Sequence, residues 1–224
     1  MEQEVQVLCP ICNKEHPAQV KRVIENTEDN QVRGKLMDRS YFDFQCPECG
    51  HFSQLRYNCL YQEKDIREYL YLSSAEPQKE GDLQRIEQEA QTFLTQSSET
   101  EHGSKDGIYR IVFSQEDLRE KILIFENGMD DRIVEICKGI ALSQFPADDK
   151  FYVEDIRYDL VGEREVLRLK CSDDSEQYVL DFPSMYEQMY EAYGAMLPPV
   201  RDHYFKCIDM EFAAQLLRGL EETA

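Results

Sequence analysis

Two Cys-x-x-Cys hooks, Cys9-Pro10-Ile11-Cys12 and Cys46-Pro47-Glu48-Cys49, stand 33 residues apart near the start of the chain. Four thiolates in two close pairs make a tetrahedral all-sulfur site, a donor set that suits Zn²⁺ better than any other common metal. Cys9, Cys12, Cys46 and Cys49 are therefore expected to ligate one ion, with Zn²⁺ as the cofactor. The local grammar of both hooks agrees. Proline after the first cysteine fixes φ and stiffens the turn. Asn13 and Gly50, directly after the hooks, are residues that tolerate a left-handed backbone. Such a turn aims backbone N–H groups inward at the sulfurs, as an anion-binding nest does.

The flanks read as strands: Val5–Leu8 and Gln19–Ile24 around the first hook, Tyr41–Gln45 and Phe52–Tyr57 around the second. Two strand-knuckle-strand units sharing an ion form a zinc ribbon. A sub-domain this small has too little core to be secure alone, so the metal would carry its stability. A Cys-Pro-x-Cys hook also fits a thiol-redox motif, but that chemistry needs one hook at the start of a helix, and neither hook opens a helical pattern. An iron–sulfur or Fe(Cys)₄ centre stays open as a further reading of the same donors. Disulfides are disfavoured, because no secretory apolar segment marks the N-terminus; the expected compartment is the reducing cytoplasm.

With those residues in view, the chain resembles the CpXC family, bacterial and archaeal proteins with two Cys-Pro-x-Cys hooks. The likeness is carried by Cys9–Cys12, by Cys46-Pro47-Glu48-Cys49-Gly50-His51, by Tyr61 and Arg67–Leu72, and by Ile122–Asp131. It covers residues 5–140 and extends only loosely beyond. The resemblance implies a metal-binding domain and carries no activity with it.

Composition bounds the partners. The formal net charge is −20, of which residues 107–224 hold about −12. That balance opposes non-specific binding to nucleic acid or anionic lipid, which relies on Lys and Arg neutralising phosphates. Lys14, Lys21, Arg22, Arg33, Lys35, Arg39 and Arg56 are interleaved with acids and read as a mixed surface. No apolar run approaches the ~20 residues of a membrane span, so no membrane partner is expected. Cys59, Cys137, Cys171 and Cys207 lie singly in apolar segments and read as core residues; a second metal site from Cys171, His203 and Cys207 is the minor alternative. His16 and His51 read as neighbours of the hooks rather than ligands.

The fold class is α+β: a mostly β four-cysteine ribbon, then an α+β domain with an antiparallel meander. A short helix is expected over Asp29–Met37, a turn over Gln62–Asp65, a strand over Arg67–Leu72 and a one-sided helix over Asp82–Gln96. Ser97–Gly107 reads as a linker, giving a ribbon domain at 1–72, a linker region at 73–107 and an acidic domain at 108–224. In the last, Tyr109–Phe113 reads as a strand and Ser114 caps a helix burying Leu118, Ile122 and Phe125. A second helix from Asp130 or Asp131 turns Ile133, Val134, Cys137 and Ile140 inward. Strands Phe151–Val161, Val166–Cys171 and Gln177–Phe182 form the meander, and helices Ser184–Met196 and Met210–Leu220 follow.

No catalytic constellation stands out. Asp130-Asp131 and Asp148-Asp149 read as solvated acids at helix starts and turns. The Met185, Tyr186, Met189, Tyr190, Tyr193, Met196 stripe reads as helix packing against the meander, with a binding groove as the alternative. The sequence thus points to a zinc-binding, non-enzymatic module whose partner is another protein. The alternatives are a nucleic-acid-associated zinc ribbon and a thiol oxidoreductase.

Overall fold

A computed structural model describes residues 2–26, 31–63, 66–97, 107–145, 152–201 and 204–221. The chain forms two compact units, residues 1–119 with 201–206, and residues 120–200 with 207–224.

In the first unit, β1 (Glu2–Leu8) and β2 (Glu15–Lys21) form an antiparallel hairpin with Leu8 opposite Glu15. After β3 (Val23–Glu25) comes α1 (Gln31–Met37), whose Leu36 is buried; Asp29 and Asn30, at the expected helix start, lie outside the described residues. A second hairpin pairs β4 (Asp43–Gln45) with β5 (Phe52–Gln54), Gln45 opposite Phe52. Both strands are shorter than their sequence stretches. Phe42 leaves the strand to enter the core, its ring 5.6 Å from that of Tyr57.

The larger sheet of this unit is mixed, in the order β3-β6-β7-β8, with β6 at Cys59–Glu63, β7 at Glu68–Leu72 and β8 at Ile108–Val112. β6 and β7 are antiparallel, whereas β3/β6 and β7/β8 are parallel. α2 (Asp82–Ser97) lays Ile86, Ala90 and Leu94 onto Leu60, Tyr71, Tyr109 and Ile111, and Phe205 returns to close the cluster. These three α2 positions follow the i, i+4, i+8 spacing of one helix face. Tyr69 and Tyr109 stack at 4.7 Å on neighbouring strands.

Two expectations give way here. Gln62 and Glu63 are strand rather than turn, because their polar side chains and backbone are satisfied across the sheet: Gln62 Nε2 donates to Glu25 Oε1 at 2.6 Å and Asn26 N–H to Gln62 O at 3.2 Å. The strand expected to open the acidic domain, β8, is hydrogen-bonded in parallel to β7 and belongs to the first unit. Residues 98–106 of the expected linker lie outside the described residues.

The division falls inside α3 (Gln115–Glu126). Ser114 Oγ accepts from Asp117 N–H at 3.0 Å while Asp117 Oδ2 accepts from Phe113 N–H at 3.3 Å, a reciprocal cap of the expected kind. In the second unit, α4 (Asp131–Ser143) is capped by Asp130, whose side chain accepts from Arg132 N–H. The meander is present: β9 (Val153–Val161), β10 (Arg164–Cys171) and β11 (Glu176–Val179), all antiparallel. α5 (Phe182–Tyr193) begins earlier than expected, since Pro183 favours the first helical turn and pulls Phe182 out of the strand. A 3₁₀ turn (Gly194–Met196) and α6 (Met210–Glu221) follow, and α4 packs against both α5 and α6. The Met/Tyr stripe of α5 is half in solvent, with Tyr190 and Met196 more than half exposed and Phe182 the fully buried member of the helix.

Candidate metal centre

The two hooks are built alike, atom for atom along the backbone. In the first, Cys9 N–H donates to Lys14 O at 2.9 Å and Asn13 N–H to Cys9 O at 2.9 Å. In the second, Cys46 N–H donates to His51 O at 2.8 Å and Gly50 N–H to Cys46 O at 2.9 Å. Asn13 has φ +58° and Gly50 φ +73°, the left-handed corners that the sequence marks at these positions. The resulting turns aim amides at sulfur. Those of Ile11 and Cys12 reach Cys9 Sγ, and those of Glu48 and Cys49 reach Cys46 Sγ. Lys14 N–H serves Cys12 and His51 N–H serves Cys49.

These turns bring all four sulfurs within 4.8 Å of one another. Cys9 Sγ lies 3.5 Å from Cys49 Sγ, and Cys12 Sγ 3.7 Å from Cys46 Sγ. A metal–sulfur bond of about 2.3 Å at tetrahedral angles separates sulfurs by about 3.8 Å, so the spacing fits one ion at the centre. The electrostatics point the same way. The amides of Cys12 and Ile11 bring the Cys9 thiol down to about 6, and those of Cys49 and Glu48 hold Cys46 below the usual thiol value. The amide of Lys14 also pulls Cys12 down, but burial and the neighbouring sulfurs outweigh it and lift Cys12 to about 12; Cys49 is raised for the same reasons. Four thiolates this close repel one another, and a divalent cation among them removes that penalty.

Lys14 and Glu48 pair directly, tying the first hook to the second. Neither imidazole belongs to the sulfur cluster. His51 takes part through its backbone carbonyl and amide, and His16 pairs with Val7 in the first hairpin. Among the described residues, the cluster of Cys9, Cys12, Cys46 and Cys49 is the one group of three or more ligating side chains that comes together in this way.

The sequence model of the CpXC protein family matches residues 7–138. The chain belongs to the CpXC family. The match spans both hooks, the mixed sheet, α3 and most of α4 of this CpXC protein. No curated protein and no solved structure matches it.

The other cysteines of the CpXC chain are dispersed. Cys59, Cys137 and Cys171 are fully buried, as expected, and burial pushes the Cys59 and Cys137 thiols up to about 12. Cys207 departs from the core reading: it is half-buried, with Sγ 3.5 Å from Asp209 Oδ2. His203, the third member of the alternative metal site, lies outside the described residues. Of the basic residues in the ribbon, Lys14, Lys21 and Arg39 are engaged with Glu48, Glu2 and Glu116, which leaves a mixed surface. Among the described residues, no helix is long and apolar enough to cross a membrane.

A buried ionic network in the second unit was not foreseen. Lys121 lies 3.2 Å from Asp131 and 3.0 Å from Glu135; Lys138 lies 2.7 Å from Glu120 and 3.2 Å from Glu135. Glu120 also accepts from Tyr158 N–H at 2.6 Å and lies 3.6 Å from Arg157. Asp131, expected to be solvated, has no exposed surface; Asp148-Asp149 lies outside the described residues. A signal was present in Ile122-Leu123-Ile124-Phe125, apolar on every side of α3, since a helix apolar all round is buried together with the charges it carries.

The left-handed corner of the second hook gives a direct test. A Cβ at residue 50 would meet nothing within 4 Å, so Gly50→Ala acts through backbone conformation alone. It should weaken metal retention against a competing chelator by about 1–2 kcal/mol, whereas Asn13→Gly at the equivalent corner should be close to neutral. Equal effects at the two corners would contradict the turn geometry.

Proposed function

We propose that the four-cysteine cluster holds Zn²⁺ as a structural ion, and that the ribbon it shapes is a non-enzymatic protein-interaction module working in the reducing cytoplasm. The observation that carries the metal reading is the convergence of four sulfurs within 4.8 Å, each hook bracketed by the same pair of backbone hydrogen bonds. An all-sulfur, four-coordinate set leaves no open position for a substrate or an activated water, which is the pattern of a structural rather than a catalytic ion. The interaction reading is supported by the surface beside the sulfurs. Leu8, Ile11 and Phe52 are 56%, 67% and 63% exposed, and each lies within three residues of a ligand. Large exposed apolar side chains beside both hooks suit a contact surface. The net charge of −20 favours a protein partner over nucleic acid.

Metal analysis of untagged protein should return one zinc per chain, falling to background in the Cys9→Ser and Cys46→Ser variants. Ile11→Glu with Phe52→Glu should retain that zinc and lose a partner that the wild type co-purifies stoichiometrically. Wild-type protein without stoichiometric metal would contradict the first half of the proposal. Zinc-replete protein that remains alone, or a partner held equally by the double variant, would contradict the second.

A further inference from the structure

The cluster is not equally shielded from solvent on all sides. Cys9 and Cys46, the first cysteine of each hook, are 1% exposed, whereas Cys12 is half-buried and Cys49 lies exposed. Two sulfur contacts run between the hooks, Cys9 to Cys49 at 3.5 Å and Cys12 to Cys46 at 3.7 Å, and the two sulfurs of each hook also interact. The second hook thus presents one thiolate to the outside, 3.5 Å from a buried thiolate of the first hook.

We infer that Cys49 is a modification site, the point at which a two-electron oxidant such as hydrogen peroxide enters the cluster, and that the product is a Cys9–Cys49 disulfide joining the hooks. The inference rests on the zinc reading proposed above, which keeps both sulfurs as thiolates. In the first step the Cys49 thiolate attacks one peroxide oxygen, the O–O bond breaks, and Cys49 sulfenic acid and hydroxide form. In the second, the Cys9 thiolate attacks the Cys49 sulfur, the S–O bond breaks, and a second hydroxide leaves. Sulfur loses two electrons, peroxide gains two, and the two hydroxides take up two protons from solvent to give water. The sulfurs need to close from 3.5 Å to about 2.05 Å. The product leaves only Cys12 and Cys46 as thiolates, too few to retain a structural ion, so the metal departs.

A disulfide within a hook would leave the two hairpins unconnected once the ion is gone. The cross-hook bond closes a loop of about 40 residues and restricts the unfolded chain. The metal-free ribbon is therefore expected to stay tethered, and to recover when a thiol reductant and zinc are returned.

The test uses full-length, zinc-loaded protein whose metal content is measured first. It is treated with one to several equivalents of hydrogen peroxide, with zinc release followed by a chromogenic chelator and disulfides mapped by mass spectrometry of unreduced peptides. Brief labelling with N-ethylmaleimide before oxidation reads accessibility in the wild type, without a variant that would lose the metal. The expected results are Cys49 labelled faster than Cys9 or Cys46, as its exposure requires, zinc release in step with peroxide consumption, and Cys9–Cys49 as the first linkage. A first linkage of Cys46–Cys49 or Cys9–Cys12, faster labelling of a buried sulfur, or zinc retained while peroxide is consumed elsewhere would each overturn the inference and leave the zinc reading intact. Protein that contains no metal at the outset would overturn both.

Discussion

A Cys46→Ser chain should lose the fold of both ribbon hairpins. Cys46 has its sulfur 3.7 Å from Cys12 and two amides of its own hook bonded to it, and it is 1% exposed. The hydroxyl of serine is a poor replacement for thiolate at a zinc site, so the proposed ion should be lost with it. What remains to hold the ribbon is slight. Among the described residues, the buried apolar side chains of the two hairpins and the segment joining them, apart from the sulfurs, are Val20, Ile24, Leu36 and Phe42. Each contributes about 1.5–3 kcal/mol, against roughly 10–16 kcal/mol of apparent binding free energy for a structural zinc. Hydrogen exchange followed by mass spectrometry checks the result. The amides of Asn13, Cys46 and Gly50, protected in the wild type by the knuckle bonds, should exchange rapidly in the variant, while those of α2 and β10 keep their protection. Protected knuckle amides in the variant would mean that the metal is not what holds the hooks.

The second large effect is expected at Glu135. Its carboxylate bridges Lys121 and Lys138 at 3.0 and 3.2 Å, and all three side chains are about 5% exposed or less. Glu135→Leu leaves two buried lysines to share Glu120 and Asp131, and breaking a buried pair in this way costs about 3–5 kcal/mol. Lys170→Met removes an exposed pair with Glu154 at 3.3 Å, which solvent screens, and should cost far less. Denaturant melts of the two variants measure the contrast; similar losses would show that the network contributes no more than a surface pair.

The pH dependence of the Glu135→Leu effect follows from the lysines. Burial alone would lower them, but Glu135, Asp131 and Glu120 around Lys121, and Glu120 and Glu135 around Lys138, raise both above the ordinary lysine value. A base whose folded value exceeds its unfolded value contributes stability that is full below the unfolded value of about 10.4 and is lost as pH rises through the folded one. In Glu135→Leu the same lysines lose one of the carboxylates that raise them, so the wild-type advantage should be largest at neutral pH and shrink as the pH rises into the lysine range. Glu120 is itself raised, because burial outweighs the attraction of Lys138; proton binding there favours the folded state, and its contribution is present in acid and lost as pH rises.

What the sequence revealed was whatever local chemistry dictates. The hook turns, with Asn13 and Gly50 at their left-handed corners, depend on a few adjacent residues and were readable directly. So were α2, with a clear apolar stripe, and the meander, whose strands are joined by short turns. The mixed sheet was not, because the parallel pairings of β3 with β6 and of β7 with β8 join segments far apart in the chain, and no local pattern specifies the partner. Gln62 and Glu63 were misread for that reason: their polarity suits a turn unless Glu25 and Asn26 are known to lie beside them. Asp131 shows the same limit in the second unit. An acid at a helix start is ordinarily solvated, and only the packing of α3 against it supplies Lys121 at 3.2 Å. The convergence of the four sulfurs was legible in the two hooks, whereas the inequality between exposed Cys49 and buried Cys9 needed the fold.

The central claim is that the four sulfurs converge on one ion and leave no position open. X-ray absorption at the zinc edge, on untagged protein purified without added metal, tests it most directly. The account predicts a first shell of four sulfurs at about 2.3 Å and no nitrogen or oxygen. A shell with two or three sulfurs completed by nitrogen or oxygen, or a sample without zinc, would contradict it.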